Sequence, residues 1–209
     1  MIIKPRWPAP SNITALTTCL PLAFALPAEP GWLKQVHGTT AVALPGPFEP
    51  EADASYTHQS GVICVVKTAD CLPILITHRE GAEVAAVHAG WRGLVAGVIE
   101  SSFAKMQSDP EECLAWIGPA ISPAHFEVGP EVRAAFLLKH SDFDDAFAPN
   151  QRGHYQADLA WMAEQILQKI GVKKIYHSGL CTYADTRFYS YRRDQGQTGR
   201  MASLIYILP

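Results

Sequence analysis

Three side chains able to bind metal or attack a substrate stand in distinctive surroundings. His37 lies in the polar turn Lys34-Gln35-Val36-His37-Gly38, shortly after Trp32. Cys71 sits where Pro73 interrupts an apolar run, because proline lacks a donor and restricts Leu72 before it. His88 follows the run 83–87 and precedes the turn Gly90-Trp91-Arg92-Gly93. Open α/β sheets collect ligands where strand ends meet helix starts. One cysteine and two imidazoles suit Zn2+, and three protein ligands leave a fourth position for water or substrate. Spacings of 34 and 17 residues are too long for a local zinc finger. Two other readings therefore stay open. Cys71 and His88 could be a nucleophile and its base without metal. A buried thiol and two core-edge histidines could also simply pack.

The 90–93 turn offers an anion site, since exposed N–H groups at a helix start attract phosphate and Arg92 can bind it bidentately. Gly90 and Gly93 equally suit a close packing turn. Arg192, Arg193 and Arg200 give a second basic segment, which could also be a solvated loop. Asp53 and Asp70 are the nearest carboxylates. Either could move a proton or orient a ligand histidine, while Asp70 could also shape a turn. Trp32, Trp91 and Tyr191 could stack on a planar ligand. His58, His78, His125, His140, His154 and His177 have no comparable company.

These residues need strands and helices to bring them together. Strands are expected at 61–67, 74–77, 83–87, 113–117, 174–177, 188–191 and 204–208. Helices are expected at 94–106, whose stripe is Val95, Val98, Ile99, Phe103 and Met106, at 131–138 behind Pro130, and at 158–170 before Gly171. Residues 142–153 read as a polar loop. The mixture predicts α/β architecture, with α+β layers on a mixed sheet, in one domain spanning 1–209.

Composition bounds the partners. The chain has 209 residues, 48% hydrophobic and 18% charged, with net charge −3. That excludes disorder and gives no electrostatic case for nucleic acid or an anionic membrane, so a small molecule is the expected partner. Five scattered cysteines without a CxxC read as reduced thiols and a cytoplasmic location. The stretch 13–28 superficially resembles a secretory leader, but Pro21, Pro27 and its threonines spoil an apolar helix.

Several strings taken together resemble one family. They are QVHGTT (35–40), ADAS (52–55), TADCLPILI (68–76), VAAVHAGWRG (84–93), WIGPAISPAHFEVGPEV (116–132), CTY (181–183) and FYSYRRDQGQTGRMAS (188–203). The chain resembles the YfiH-like family, whose names include laccase domain, purine nucleoside phosphorylase and peptidoglycan-editing factor. The resemblance implies a mixed α/β fold distantly similar to toxin-type cysteine deamidases. It implies a zinc ion held by His37, Cys71 and His88, with copper the weaker candidate. It also implies phosphorolysis of adenosine, inosine and methylthioadenosine, with adenosine deamination beside it. Residues 1–30 are shorter than the family pattern.

On that footing, phosphate is expected near Gly90, Arg92, Gly93 and Arg193, and Asp70 is the first candidate proton carrier beside Cys71 and His88. A cysteine hydrolase or amidase acting on a peptidoglycan precursor is the alternative. A copper polyphenol oxidase lacks the paired His-x-His ligands it would need. A zinc-bearing binding protein is the non-enzyme option. The sequence leaves the oligomeric state open.

Overall fold

The computed structural model describes residues 1–22 and 24–209. Its strands are β1 (Ile2–Ile3), β2 (Ile13–Cys19), β3 (Ala41–Ala43), β4 (Ala54–Thr57), β5 (Ile63–Thr68), β6 (Leu72–His78), β7 (Val84–Ala89), β8 (Cys113–Ile117), β9 (Glu127–Val128), β10 (Phe147–Pro149), β11 (Tyr155–Ala157), β12 (Lys174–His177) and β13 (Met201–Ile207). The helices are α1 (Trp91–Ala96), α2 (Val98–Phe103), α3 (Pro130–Lys139) and α4 (Leu159–Lys169).

A six-stranded mixed sheet runs β12-β8-β6-β7-β4-β3, and an antiparallel sheet runs β1-β2-β13-β5. Side-chain alternation sorts the central strands. Leu72, Ile74 and Ile76 of β6, with Ala85 and Val87 of β7, pack under Leu94, Ile99, Phe136, Met162 and Ile166 of the helical layer. Leu75, Ala86 and Trp116 face the other way, against Ala15, Cys64, Val66 and Ile205 of the second sheet. The outer face of that sheet, with Leu16, Val65 and Leu204, is covered by Leu20, Leu22, Phe24, Leu26 and Trp32. The result is an α+β layered fold, as the sequence leads one to expect.

Several local expectations change. The 94–106 stripe is split into α1 and α2, because Gly97 takes φ 104°, a left-handed value that ends a helix. The 13–28 stretch contributes β2, whose Leu16 meets one layer while Ala15 meets the other. Ala23 of that stretch lies outside the described residues. Residues 188–191 form no strand, and 142–153 carry part of a 3-10 helix (Ser141–Ala146) and β10. Pro73 sits inside β6, near its start, where a missing donor is tolerated. The other predicted helices hold, with Asp158 capping α4 through the N–H of Trp161 at 2.9 Å.

Candidate metal centre and its cavity

The register of the six-stranded sheet builds most of the site. Pro73 of β6 lies opposite His88 of β7. Cys71, two residues before Pro73, therefore falls on His88's face. On β7's other side, the His88 N–H donates to the Asp53 carbonyl at 2.7 Å, which puts Asp53 on that face as well. Asp53 is fully buried and His88 is 3% exposed.

His37 arrives on a loop rather than a strand, and two devices fix that loop. The Gln35 side-chain amide pairs with the backbone of Lys67, donating to its carbonyl at 2.8 Å and accepting its N–H at 2.7 Å. Asp53 then gathers the turn, accepting from the N–H groups of Val36 at 3.2 Å, His37 at 3.0 Å and Gly38 at 2.7 Å. His37 adopts φ 61°, in the left-handed region.

The Asp53 carboxylate also accepts from His88 Nδ1 at 2.7 Å. A carboxylate only accepts, so Nδ1 carries the proton there and Nε2 is turned toward Cys71. Burial alone would raise the Asp53 carboxyl. The His88 hydrogen bond and the Gly38 and Val36 N–H groups outweigh it and hold Asp53 below its usual value. Burial likewise opposes charge on both Cys71 and His88. Hydrogen bonds from His37 and His88 nevertheless bring the Cys71 thiol down to about 6. The bonds to Asp53 and Cys71 push His88 up. The contacts thus favour charge on both partners, lowering the thiol and raising the imidazole.

His37, Cys71 and His88 present one donor atom each, all within 4.8 Å of one another. Cys71 Sγ lies 3.8 Å from His37 Nε2. Ligands around tetrahedral zinc are ~3.5 Å apart when Zn–S is ~2.3 Å and Zn–N is ~2.0 Å. A thiol whose pKa its two histidine neighbours lower, a histidine oriented by a buried carboxylate, and an open side fit a divalent metal ion. Gly90 makes room for them: a Cβ there would lie 2.7 Å from His37 Cδ2 and 3.0 Å from Cys71 Sγ.

The open side faces a cavity of about 720 Å3. Lys34, Lys67, Arg92, Arg192 and Arg200 line it, with Gln35, Glu49, Phe126 and Tyr191 among their neighbours. Arg92 stacks on Trp91 at 4.4 Å, and Arg192 lies over Phe126 at 5.4 Å while donating to the Glu127 carbonyl.

The structure thus brings together His37, Cys71, His88 and Arg92. It does not bring Arg193 to the cavity. That guanidinium turns inward, donating to the carbonyls of Thr182, Tyr183 and Phe188 and to Asp194. Gly90 and Gly93 provide close approach instead of an open anion cradle, since a Cβ on Gly93 would lie 3.0 Å from the Gly38 carbonyl oxygen. Asp70 is not poised with a free oxygen, because Thr182, Ser190 and Arg192 already donate to its carboxylate. Sequence reasoning left Asp53's role open and did not single out Lys67 or Phe126. Only strand pairing reveals Asp53, whose backbone partner is His88 itself.

Comparison with known proteins follows the same lines. A family model described as multi-copper polyphenol oxidoreductase laccase matches residues 9–208. The chain belongs to this family. The purine nucleoside phosphorylases YfiH of Shigella flexneri and Escherichia coli K12 are 50% and 49% identical over 187 residues, covering 88% of this chain and 76% of each relative. A Haemophilus influenzae protein named purine nucleoside phosphorylase is 40% identical, with 98% of both chains covered. A crystal structure of a Neisseria meningitidis protein superposes with TM-score 0.91 at 37% identity, covering 100% of this chain and 99% of that one. Bacillus licheniformis YfiH superposes with TM-score 0.77 at 28% identity, covering 84% and 73%. The YfiH-like membership expected from the motifs is therefore shown.

Proposed function

We propose that this family member is a zinc-dependent purine nucleoside phosphorylase acting on adenosine, inosine and methylthioadenosine, with adenosine deamination as a companion activity. One observation carries the reading: the His37, Cys71 and His88 donors converge at a cavity rimmed by cations. Relatives at 40–50% identity bear the phosphorylase name. The cavity falls within the range that encloses small-molecule ligands.

Within it, Lys67, Arg92, Arg192 and Arg200 would hold inorganic phosphate by charge-assisted hydrogen bonds. Phe126 and Tyr191 offer π faces to the purine. A phosphate oxygen attacks C1′ of the ribose as the C1′–N9 bond breaks, and the same cations keep phosphate near that carbon. The departing purine takes the bond's electron pair and receives the proton that the attacking hydrogen phosphate gives up, so the step balances with the two substrates alone. Zinc held by His37, Cys71 and His88 would supply Lewis-acid polarisation at that end of the cavity. Asp53 keeps His88 in the tautomer that leaves Nε2 available, and it fixes the backbone beneath His37.

A second reading is favoured by the Asp53–His88–Cys71 chain of contacts, which also orients a base beside a low-pKa thiol. It gives a metal-independent cysteine hydrolase or amidase acting on a peptidoglycan precursor. Copper polyphenol oxidation is weaker, because among the described residues one group of three His, Cys or carboxylate donors converges.

The deciding experiment is elemental analysis of purified protein, followed by incubation with adenosine, inosine and methylthioadenosine with and without phosphate. Roughly one zinc per chain and phosphate-dependent release of free base are expected, both lost on chelation. Full turnover after exhaustive chelation, with a trapped thioester at Cys71, would overturn the proposal. Tight binding of nucleosides without turnover would make the chain a binding protein.

A further inference from the structure

We propose that Asp70 is a positioning residue, tying the turn that carries Cys71 to the cavity wall formed by Tyr191 and Arg192. Its kinetic consequence rests on the phosphorylase reading; its structural consequence does not.

Asp70 is 7% exposed and adopts φ 84°. Burying a carboxylate is expensive unless hydrogen bonds satisfy it. Among the described residues no cationic side chain is bonded to it, and three neutral donors satisfy it instead. Oδ1 accepts from the Thr182 hydroxyl at 2.6 Å. Oδ2 accepts from the Ser190 hydroxyl at 3.0 Å and from the Arg192 N–H at 2.7 Å. The Asp70 carbonyl accepts from the Ile121 N–H at 3.0 Å. One residue thus joins three chain segments that are remote in sequence, and Ile121, Tyr191 and Arg192 all line the cavity.

The wall it holds has little regular structure of its own, since residues 178–200 contain no helix or strand longer than an isolated bridge. Ser190 passes the restraint on, because its oxygen also accepts the Arg193 N–H at 3.1 Å. The inward guanidinium of Arg193 then secures the carbonyls at 182, 183 and 188. Asp70 and Arg193 together form an internal frame, and Arg192 and Tyr191 hang from it on the cavity side. With both oxygens engaged by donors, the carboxylate's task is to place Arg192.

The amide of Asp70→Asn can reproduce this pattern. Its oxygen can accept from Ser190 and Arg192, while its NH2 donates to the Thr182 oxygen, which is able to accept. Asparagine also tolerates a left-handed φ. Asp70→Gly fits the backbone but removes the acceptor. The clamp therefore predicts that Asn largely substitutes and Gly does not, whereas a proton carrier would lose its function in both.

The test uses the full-length protein loaded with zinc. Amide hydrogen exchange at Arg192 should accelerate at least tenfold in Asp70→Gly and less than threefold in Asp70→Asn. With inosine and inorganic phosphate as probes, KM for phosphate should rise about tenfold in Asp70→Gly, while kcat changes less than threefold and keeps its pH profile. Should Asp70→Gly fail to fold, Thr182→Val removes one donor and should raise Arg192 exchange and the phosphate KM about threefold, with Thr182→Ser restoring both. Unchanged Arg192 exchange in Asp70→Gly, or in Thr182→Val where Gly does not fold, would overturn the proposal. So would a hundredfold fall in kcat with a displaced pH profile in Asp70→Asn. Wild-type protein without phosphorolysis would sink the phosphorylase reading alone, leaving the exchange result to decide the clamp.

Discussion

Asp53→Asn removes one charge from a fully buried carboxylate that receives four hydrogen bonds. The amide keeps one acceptor oxygen and turns the other position into a donor. Oδ1 serves His37 N–H and His88 Nδ1, and Oδ2 serves Val36 and Gly38. Either orientation sets the new NH2 against N–H groups that cannot accept in return, except His88, which can do so only by surrendering its Nδ1 proton. That switch would move the proton to Nε2 and block the atom aimed at Cys71. Losing charge-assisted bonds and stranding buried donors costs about 2–4 kcal/mol. Unfolding entropy of roughly 2.1 cal/mol/K per residue over 209 residues makes this a fall in Tm of about 5–9 °C. Zinc affinity should weaken about 10–100-fold, as for outer partners of ligand histidines. Calorimetric unfolding of the metal-free protein and competition for zinc against a chromophoric chelator measure the two effects separately. A variant with wild-type Tm and wild-type zinc affinity would refute the assignment of Asp53 as the organiser of both histidines.

Other outcomes follow from the same geometry. Gly90→Ala should fold but bind substoichiometric zinc, because the added methyl presses on the His37 ring and the Cys71 sulfur; elemental analysis reads this directly. Trp116→Ala, between the two sheets and 1% exposed, should cost about 3–5 kcal/mol in chemical denaturation without altering donor identity. In native protein freed of metal, alkylation of Cys71 should rise with pH through about 6, while Cys64 and Cys113, pushed up to about 12 by burial, should stay unreactive until unfolding; mass spectrometry of labelled peptides distinguishes them. Arg92→Ala should raise the phosphate KM about tenfold, the cost of losing one charge-assisted contact, with zinc content unchanged in steady-state kinetics run beside elemental analysis.

The three donors were legible because each occupies a distinctive local string, and their spacing already excluded a local finger. The layered α/β character was legible too, since β-branched runs such as Ile63–Thr68 alternate with amphipathic stretches such as Leu159–Lys169. What stayed hidden depended on pairing between distant segments. Nothing local to Asp53 shows that it stands beside His88, because that follows from the β4–β7 register. Adjacent arginines gave no sign that Arg192 would face the cavity and Arg193 the interior, a choice made by the turn around Ser190. The 94–106 stripe was genuine as a pattern of burial, yet periodicity is insensitive to one glycine that breaks the backbone between two turns.

The pairing of the Gln35 amide with Lys67 has a consequence for how an ion would come and go. His88 lies within β7 and Cys71 directly precedes β6, whereas His37 sits on a loop held by the Gln35 amide, the Asp53 carboxylate and backbone bonds at Lys34 and Thr40. Releasing the Gln35 end of that mooring would loosen a single imidazole while Asp53 keeps its hold on His88. Of the three candidate ligands, the loop-borne His37 is therefore the one that can yield while the strands beside Cys71 and His88 stay paired.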